Sequence, residues 1–350
     1  DMTQTALDNP DLFCVRGIDF FPLFESYVRA RLIDRVVQVS SQTLRLDRII
    51  SRHPPALVLA HHALGLSYNL GQICHRKGVP AVLISHGSHM PSKDRFDRIE
   101  WDEHGRNLIN TGYEYIAVQT PWAQKYVQEH RIRSKAIPTG PLIFAKKHKQ
   151  GHKSGAALPS RIQGKKVVLQ AGTPKDSRAM RFYVYETIEE YVYNINSLTR
   201  AIETIDNSHL IVRFRPLDGI CLADFTGLLV KSDCYSIHPE GKFEDFLMIS
   251  DLMVSYSSTT IEEALQNRVP VLQYDPQGKY CHIPSEPFEP DRHSEPASCY
   301  YVDCQEKLGP AIEQILFRQT EPVSEKEWGR HVFEPDEVVD LRVYFKDRFR

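Results

Sequence analysis

The sequence predicts an α/β protein of two domains, each built on a parallel sheet. Three observations carry that expectation. Short apolar runs of strand length recur with helical segments between them, the pattern of strand–helix–strand crossovers. The alternation stops at Lys146–Gly155, KKHKQGHKSG, and restarts at Lys166. With 350 residues and 41% hydrophobic content, each half can bury a substantial core.

Taken in order, Asp1–Pro10 is polar and turn-like, so the strand and glycine-rich turn that usually open such a domain are expected to be missing. Leu12–Val15 reads as a first strand and Phe24–Ile50 as a long helix with arginines for its outer face. Ala56–Ala60 is a buried strand ending in His61-His62, and Leu70–His75 is a helix stopped near Gly78. Val79–Ser85 is a strand that runs into His86-Gly87. Tyr115–Val118 follows, then a helix capped by Thr120 with Pro121 at its first position. Ala136–Gly140 closes the first set. The basic, glycine-containing break at 146–155 sets the boundaries: 1–150, 151–322, and a C-terminal segment 323–350. In the second half Lys166–Gln170 is a strand leading into Gly172-Thr173, and Phe182–Ile205 is a long helix. His209–Arg213 is a strand ending at Arg215-Pro216, Tyr235–His238 a short one, and Leu308–Phe317 a late helix. The charged tail carries Trp328, Val332, Leu341 and Phe345 as apolar anchors.

The most informative stretch is Phe243–Asp275. Phe243, Phe246, Leu247 and Ser250 recur at helical spacing, and Leu252–Val254 suits a buried parallel strand. Tyr256 is followed by Ser257, Ser258, Thr259 and Thr260, after which Ile261, Ala264 and Leu265 restart helical spacing. Thr259 with Glu262, or Thr260 with Glu263, has the spacing of a capping box. Asn267 is expected to close the helix in a left-handed conformation, and Pro270 opens the next strand. Hydroxyls delivered from a strand end to a helix start, beside unbonded N–H groups, suit an anion such as phosphate. The plainer alternative is that they only cap the helix.

The segments ISDLMVSYSS, TTIEEAL and NRVPVLQYD, in that order, resemble the donor-binding half of GT-B glycosyltransferases. They are similar above all to CDP-glycerol glycerophosphotransferases and to sialyl- and Kdo-type transferases of bacterial surface polysaccharides. UDP-N-acetylglucosamine 2-epimerases share the layout but usually show Ser-Gly-Gly where this chain has Ser257-Ser258-Thr259. The resemblance covers Lys165 to about Gln319. It implies two Rossmann-like domains facing across a cleft, with the C-terminal segment crossing back to the first. It also implies donor phosphates on Ser257 and Ser258, ribose on Glu262 or Glu263, and the base beside His238-Pro239. Related transferases often show Arg-x-His-Pro where this chain has Arg213-Phe214-Arg215-Pro216. The implied activity is transfer of a sugar from a nucleotide donor, with a CMP-Kdo or sialic type as first expectation, to a surface glycan or lipid-linked acceptor. A CDP-glycerol transferase, a UDP-sugar 2-epimerase and a nucleotide-sugar-binding subunit without catalysis are the alternatives.

No Asp-x-Asp occurs, so the leaving phosphate is expected to be neutralised without metal. The groups for that are Gly172, Thr173, Ser257, Ser258 and Thr259, with Arg213 or Arg215, whose planar guanidinium can bond two phosphate oxygens. Transfer with inversion needs a general base. His86 is the first candidate, since an ordinary imidazole titrates near about 6.5. Glu103, in Asp102-Glu103-His104-Gly105, and Asp19 are the second and third. No cofactor is expected, the nucleotide-sugar being a co-substrate. Lys+Arg 43 against Asp+Glu 45 gives no reason to expect nucleic acid. Seven scattered cysteines without a Cys-x-x-Cys pair fit a reduced, cytoplasmic protein. The 146–155 stretch reads as a solvated linker, or as a peripheral contact with anionic lipid headgroups near a lipid-linked acceptor.

Overall fold

Two parallel sheets organise the chain, and their carboxyl ends approach each other. The computed structural model describes residues 8, 9, 13–61, 65–87, 109, 112–144, 162–172, 185–215, 221–289 and 295–346. The expected break at 146–155 lies outside the described residues, as do Thr173 and Glu103.

The chain enters through a short antiparallel hairpin, β1 (Cys14–Val15) and β2 (Ile18–Asp19), turned by Arg16-Gly17 with both residues at positive φ. This corrects the expected opening strand at 12–15, whose described residues pair locally and join no larger sheet. Then α1 (Phe21–Arg52) runs for 32 residues with Pro22 in its first turn. The first sheet follows, four parallel strands in chain order: β3 (Val58–Ala60), β4 (Ala81–Ile84), β5 (Tyr115–Val118) and β6 (Lys135–Pro138). Among the described residues it is accompanied by the crossover helices α2 (Leu66–Lys77) and α3 (Pro121–Glu129). Gly78 ends α2 at φ +66°, which only glycine adopts without strain. Thr120 caps α3 as its spacing predicts, its hydroxyl accepting from the Ala123 N–H at 3.1 Å.

The second sheet has seven parallel strands: β7 (Lys166–Ala171), β8 (Ser208–Arg213), β9 (Tyr235–Ile237), β10 (Leu252–Ser255), β11 (Val271–Tyr274), β12 (Glu286–Pro287) and β13 (Cys299–Val302). Their spatial order is 12-13-11-10-7-8-9. The chain winds outward from β7 through α4 (Ile188–Glu203) to β8, and through α5 (Leu222–Gly227) to β9. It returns by α6 (Phe243–Met248) to β10, on the other side of β7, and continues through α7 (Thr260–Gln266) to β11. The order therefore reverses between β7 and β10, and the crevice outside their carboxyl ends is where open α/β sheets bind ligands. The helix expected from Phe182 begins at Ile188. There Thr187 and Glu190 form a complete capping box, and the preceding 173–184 lie outside the described residues.

Apolar side chains fill both faces of each sheet. On the second sheet one face buries Val168, Leu210, Val254 and Leu272 under α4, α5 and α8 (Gln305–Glu313); the other buries Leu169, Met253 and Val271 under α6 and α7. The end of the chain touches both sheets. Trp328 and Val332 join the second sheet's core, Phe333 that of the first. Phe345 is fully buried against Tyr115, ring centroids 5.1 Å apart. Trp122 of α3 donates through its indole N–H to His331 Nδ1 at 3.0 Å. Among the described residues no helix is long and apolar enough to cross a membrane.

Candidate active site

The switch point between β7 and β10 gathers the hydroxyl stretch. Ser255, the last residue of β10, donates its hydroxyl to the Ala171 carbonyl of β7 at 2.6 Å. A Cβ on Gly172 would stand 3.9 Å from Ser255 Oγ, so the ends of the two central strands run side by side. Ser257, Ser258 and Thr259 are half-buried there. The expected capping box does not form. Thr259 already has helical backbone angles (φ −62°, ψ −10°), so its side chain makes no capping bond. Ser258 caps instead, its Oγ accepting from the Thr260 N–H at 3.3 Å and its carbonyl from the Ile261 N–H at 3.0 Å. At the other end Asn267 has φ −94°, and Arg268, at φ +60°, takes the left-handed position. Asn267 instead donates through Nδ2 to the Glu263 carbonyl at 2.7 Å. With only seven residues α7 has a weak dipole, so an anion here would rest on the N–H and hydroxyl groups of 257–260.

The two neighbouring glutamates part company. Glu262 is 2% exposed and faces the first sheet: a Cβ built on Gly87 would lie 3.1 Å from its Oε1 and 3.1 Å from Thr259 Cγ2. His282 Nε2 sits 3.0 and 3.1 Å from the two Glu262 oxygens. The carboxyl of Glu263, the next residue, is pushed up to about 7 by burial, then by the Glu244 and Glu262 charges. Gly87, at φ +89°, follows His86 at the end of β4. His86 is exposed, its ring 6.3 Å from that of His61. The first candidate base therefore stands beside the contact between the two sheets.

Arg213, expected to reach phosphate, is engaged elsewhere. It donates through Nη1 to the His238 carbonyl at 2.6 Å and through Nη2 to the Gly241 carbonyl at 2.7 Å, and lies over the Phe246 ring at 5.4 Å. It braces the 238–241 loop, with Gly241 at φ +100°. Within that loop His238 Nε2 meets Ser236 Oγ at 3.0 Å, and Pro239 is half-buried. Arg215 is exposed. Asp19 accepts from the Phe21 N–H at 2.8 Å, which fixes the start of α1.

Several groups at this edge were not singled out by sequence. Gln273, in β11, accepts from the His282 N–H at 2.8 Å and donates to the Ile283 carbonyl at 2.8 Å, locking the loop that carries His282. Asp275, just past β11, accepts from the Tyr280 N–H at 2.8 Å and the Tyr301 hydroxyl at 3.2 Å. Glu186, ahead of α4, accepts from Asn194 Nδ2 at 2.6 Å. Burial pushes the Glu186 carboxyl up to about 8, reinforced by Glu190 and Asp275 and opposed by the Asn194 bond and Lys279. The usable signal for Asp275 was its place directly after a central strand. A lone His282 in a loop gives none.

No family model matches the chain, and no curated protein matches its sequence. Solved structures do. The S. aureus MnaA protein solved with UDP superposes with TM-score 0.54 at 14% identity, over 85% of this chain and 75% of that one. A Neisseria meningitidis UDP-GlcNAc 2-epimerase bound to UDP-GlcNAc gives 0.52 at 12%, over 83% and 75%. The glycosyltransferase of kitacinnamycin gives 0.53 at 15%, over 92% and 83%. The fold is GT-B. At such identities the likeness concerns architecture, and these neighbours with the same GT-B architecture include epimerases and a glycosyltransferase. Within the GT-B frame, the reversal between β7 and β10 and the approach of Gly87 to Glu262 mark the same crevice from its two sides.

Proposed function

We propose that this chain is an enzyme acting on a nucleotide-sugar held in the second sheet's crevice. The observation that carries the reading is the switch point, where Gly172 and Ser257–Thr259 converge opposite the His86-Gly87 strand end. Ser257, Ser258 and the N–H groups at the start of α7 receive the phosphates. Glu262, an acceptor-only carboxylate beside a phosphate-binding loop, repels phosphate and accepts from hydroxyls, those of the ribose or of the sugar. The 238–241 loop braced by Arg213 borders the base. His86 is the candidate proton carrier from the first sheet.

A uridine nucleotide replaces a CMP-Kdo or sialic-type sugar as the first substrate to test, because neighbours of the same fold were solved with UDP or UDP-GlcNAc. Epimerisation at the sugar's second carbon is the leading reaction. It requires no acceptor, so incubating the protein with UDP-GlcNAc alone and reading the sugar ring protons by NMR tests it: a new C2 epimer supports the reading. Transfer to an acceptor glycan is the second reading, favoured by the Ser257-Ser258-Thr259 hydroxyls that differ from the epimerases' usual Ser-Gly-Gly. Its mark is that UDP-GlcNAc stays unchanged until an acceptor is added. The division at 150 and 322, a peripheral membrane contact and a glycan acceptor belong to this second reading.

A further inference from the structure

We infer that the edge of the first sheet where its strands begin is a docking surface for a bilayer rich in anionic phospholipid. It gives the peripheral membrane contact of the transfer reading a surface, and rests on that reading for its purpose but on no residue of the crevice. In a parallel α/β layer each helix runs back along the sheet, so helix ends and strand starts share one edge. This chain places cations there. Arg48 and Arg52 lie in the last two turns of α1 ahead of β3, and Arg76 in the last turn of α2 ahead of β4. Arg131 and Arg133 lie between α3 and β6. All five are exposed, and none forms an ion pair among the described residues. Lys77, paired with Asp47 at 3.1 Å, and Lys135, over the Tyr344 ring at 5.4 Å, stand on the same edge. The carboxylates on these helix ends and connections are Asp47, Glu114 and Glu129, so a chain of net charge −2 gathers an excess of cations here. Adjacent strands are about 4.8 Å apart, which sets the row from β3 to β6 at about 15 Å. A helix dipole favours a cation in a last turn, which suits Arg52 and Arg76, but Arg131 and Arg133 stand beyond α3. A guanidinium bonds two oxygens of one phosphate, so a row of free arginines suits lipid headgroups. Two aliphatic side chains project beside it. Ile49 of α1 is 57% exposed, and Val343 is 67% exposed on the helix Leu341–Tyr344, whose Tyr344 meets Lys135. Cations joined to projecting aliphatics match a lipid interface, whereas a nucleic acid offers no apolar layer to receive them. The crevice lies at the opposite, carboxyl edge, about 13 Å away along the four residues of β4, so a docked protein turns it to the aqueous side.

Co-sedimentation with vesicles tests the surface. The wild type should bind vesicles of phosphatidylcholine containing about 30% phosphatidylglycerol and not vesicles of phosphatidylcholine alone, each arginine adding about 5-fold to the partition. Binding should fall steeply as salt is raised from about 0.05 to 0.5 M. Arg76→Glu/Arg133→Glu should weaken binding about 25-fold or more, and Arg52→Glu/Arg131→Glu should do the same from different elements. Arg76→Lys/Arg133→Lys should retain most of it. Ile49→Ser should weaken binding several-fold while leaving the salt dependence in place, since it removes only the apolar part of the contact. All these side chains are exposed, so melting temperature and UDP affinity should stay those of the wild type. Equal binding to both kinds of vesicle, or to neither, would overturn the inference, as would anionic vesicles held equally well by both charge-reversed variants. So would a wild type that binds a single-stranded RNA oligonucleotide in preference to the anionic vesicles, which would assign the arginines to a nucleic acid. UDP binding is read on the same samples: its absence from the wild type would sink the nucleotide reading and leave the vesicle result standing.

Discussion

The contact of Gly87 with α7 can be tested by adding a single methyl group. Gly87→Ala acts in two ways that the geometry separates. At φ +89° an L-residue is strained, costing about 1–2 kcal/mol, which lowers the melting temperature by about 2–8 °C in a protein of this class. The new Cβ would also stand 3.1 Å from Glu262 Oε1 and 3.1 Å from Thr259 Cγ2. Both distances fall short of the roughly 3.5–4.0 Å at which carbon contacts are comfortable. The sheet ends must then move apart by some tenths of an ångström, which displaces His86 from the second sheet, where the nucleotide is proposed to bind. UDP affinity, measured by calorimetry, is expected to stay near that of the wild type, since the groups proposed to bind the phosphates lie on the second sheet. Turnover is expected to fall about 10–100-fold, as small misplacements of reacting groups do. Thr259→Ser removes one of the two clashing atoms, so Gly87→Ala/Thr259→Ser should recover part of the lost rate. Unchanged turnover in the single variant, or no recovery in the double, would refute the idea that the two sheets work together at this point.

Further outcomes follow from the same geometry. Arg213→Met removes both bonds that brace the 238–241 loop. Allowing for partial exposure it should cost about 1–3 kcal/mol, seen as a lower melting temperature together with weaker UDP binding. The Glu186 carboxyl sits near 8 in the fold against 4.5 ordinarily, so the folded state retains a proton that the unfolded chain gives up. Its contribution therefore declines as pH rises from 4.5 to 8 and is level beyond. Glu186→Gln keeps the Asn194 bond and should melt higher than the wild type at pH 8, with the two curves converging near pH 5. Burial lowers His331 to about 4 from 6.5, so acidification through that window favours the unfolded chain, which takes up the proton first. Replacing His331 by Gln should flatten the loss of stability between pH 6.5 and 4. Phe345→Ala opens a cavity beside Tyr115 and should cost about 3–5 kcal/mol, read from thermal melts.

Much of the fold was legible because it rests on local pattern. The strands Lys166–Gln170, Leu252–Val254 and Tyr115–Val118 are short, mainly apolar runs bounded by turns, and each lies where its sequence places it. The hydroxyl stretch lies between β10 and α7, as its place between an apolar run and a helical pattern predicts; that the strand order reverses beside it came only from the sheet topology. What failed was conformational detail of one or two residues. Whether Thr259 or Ser258 caps α7 depends on which enters helical φ/ψ first, and either residue type suits a cap. Likewise Asn267 and Arg268 could each have taken the left-handed position, and the outcome was set by Asn267 finding the Glu263 carbonyl. The choice between Glu262 and Glu263 was unreadable because both lie one turn into α7; it was decided by Gly87 and His282, 175 and 20 positions from Glu262. The bonds that engage Arg213 were unreadable for the same reason. The carbonyls that hold it lie 25 and 28 residues downstream, in a loop whose shape no local rule supplies.

The most direct measurement is a crystal structure of the protein soaked with UDP. The account predicts density for the phosphates against Ser257, Ser258 and Gly172, with a ribose hydroxyl or an adjoining sugar hydroxyl toward Glu262. Uridine diphosphate bound elsewhere, while side chains fill the space outside β7 and β10, would contradict it.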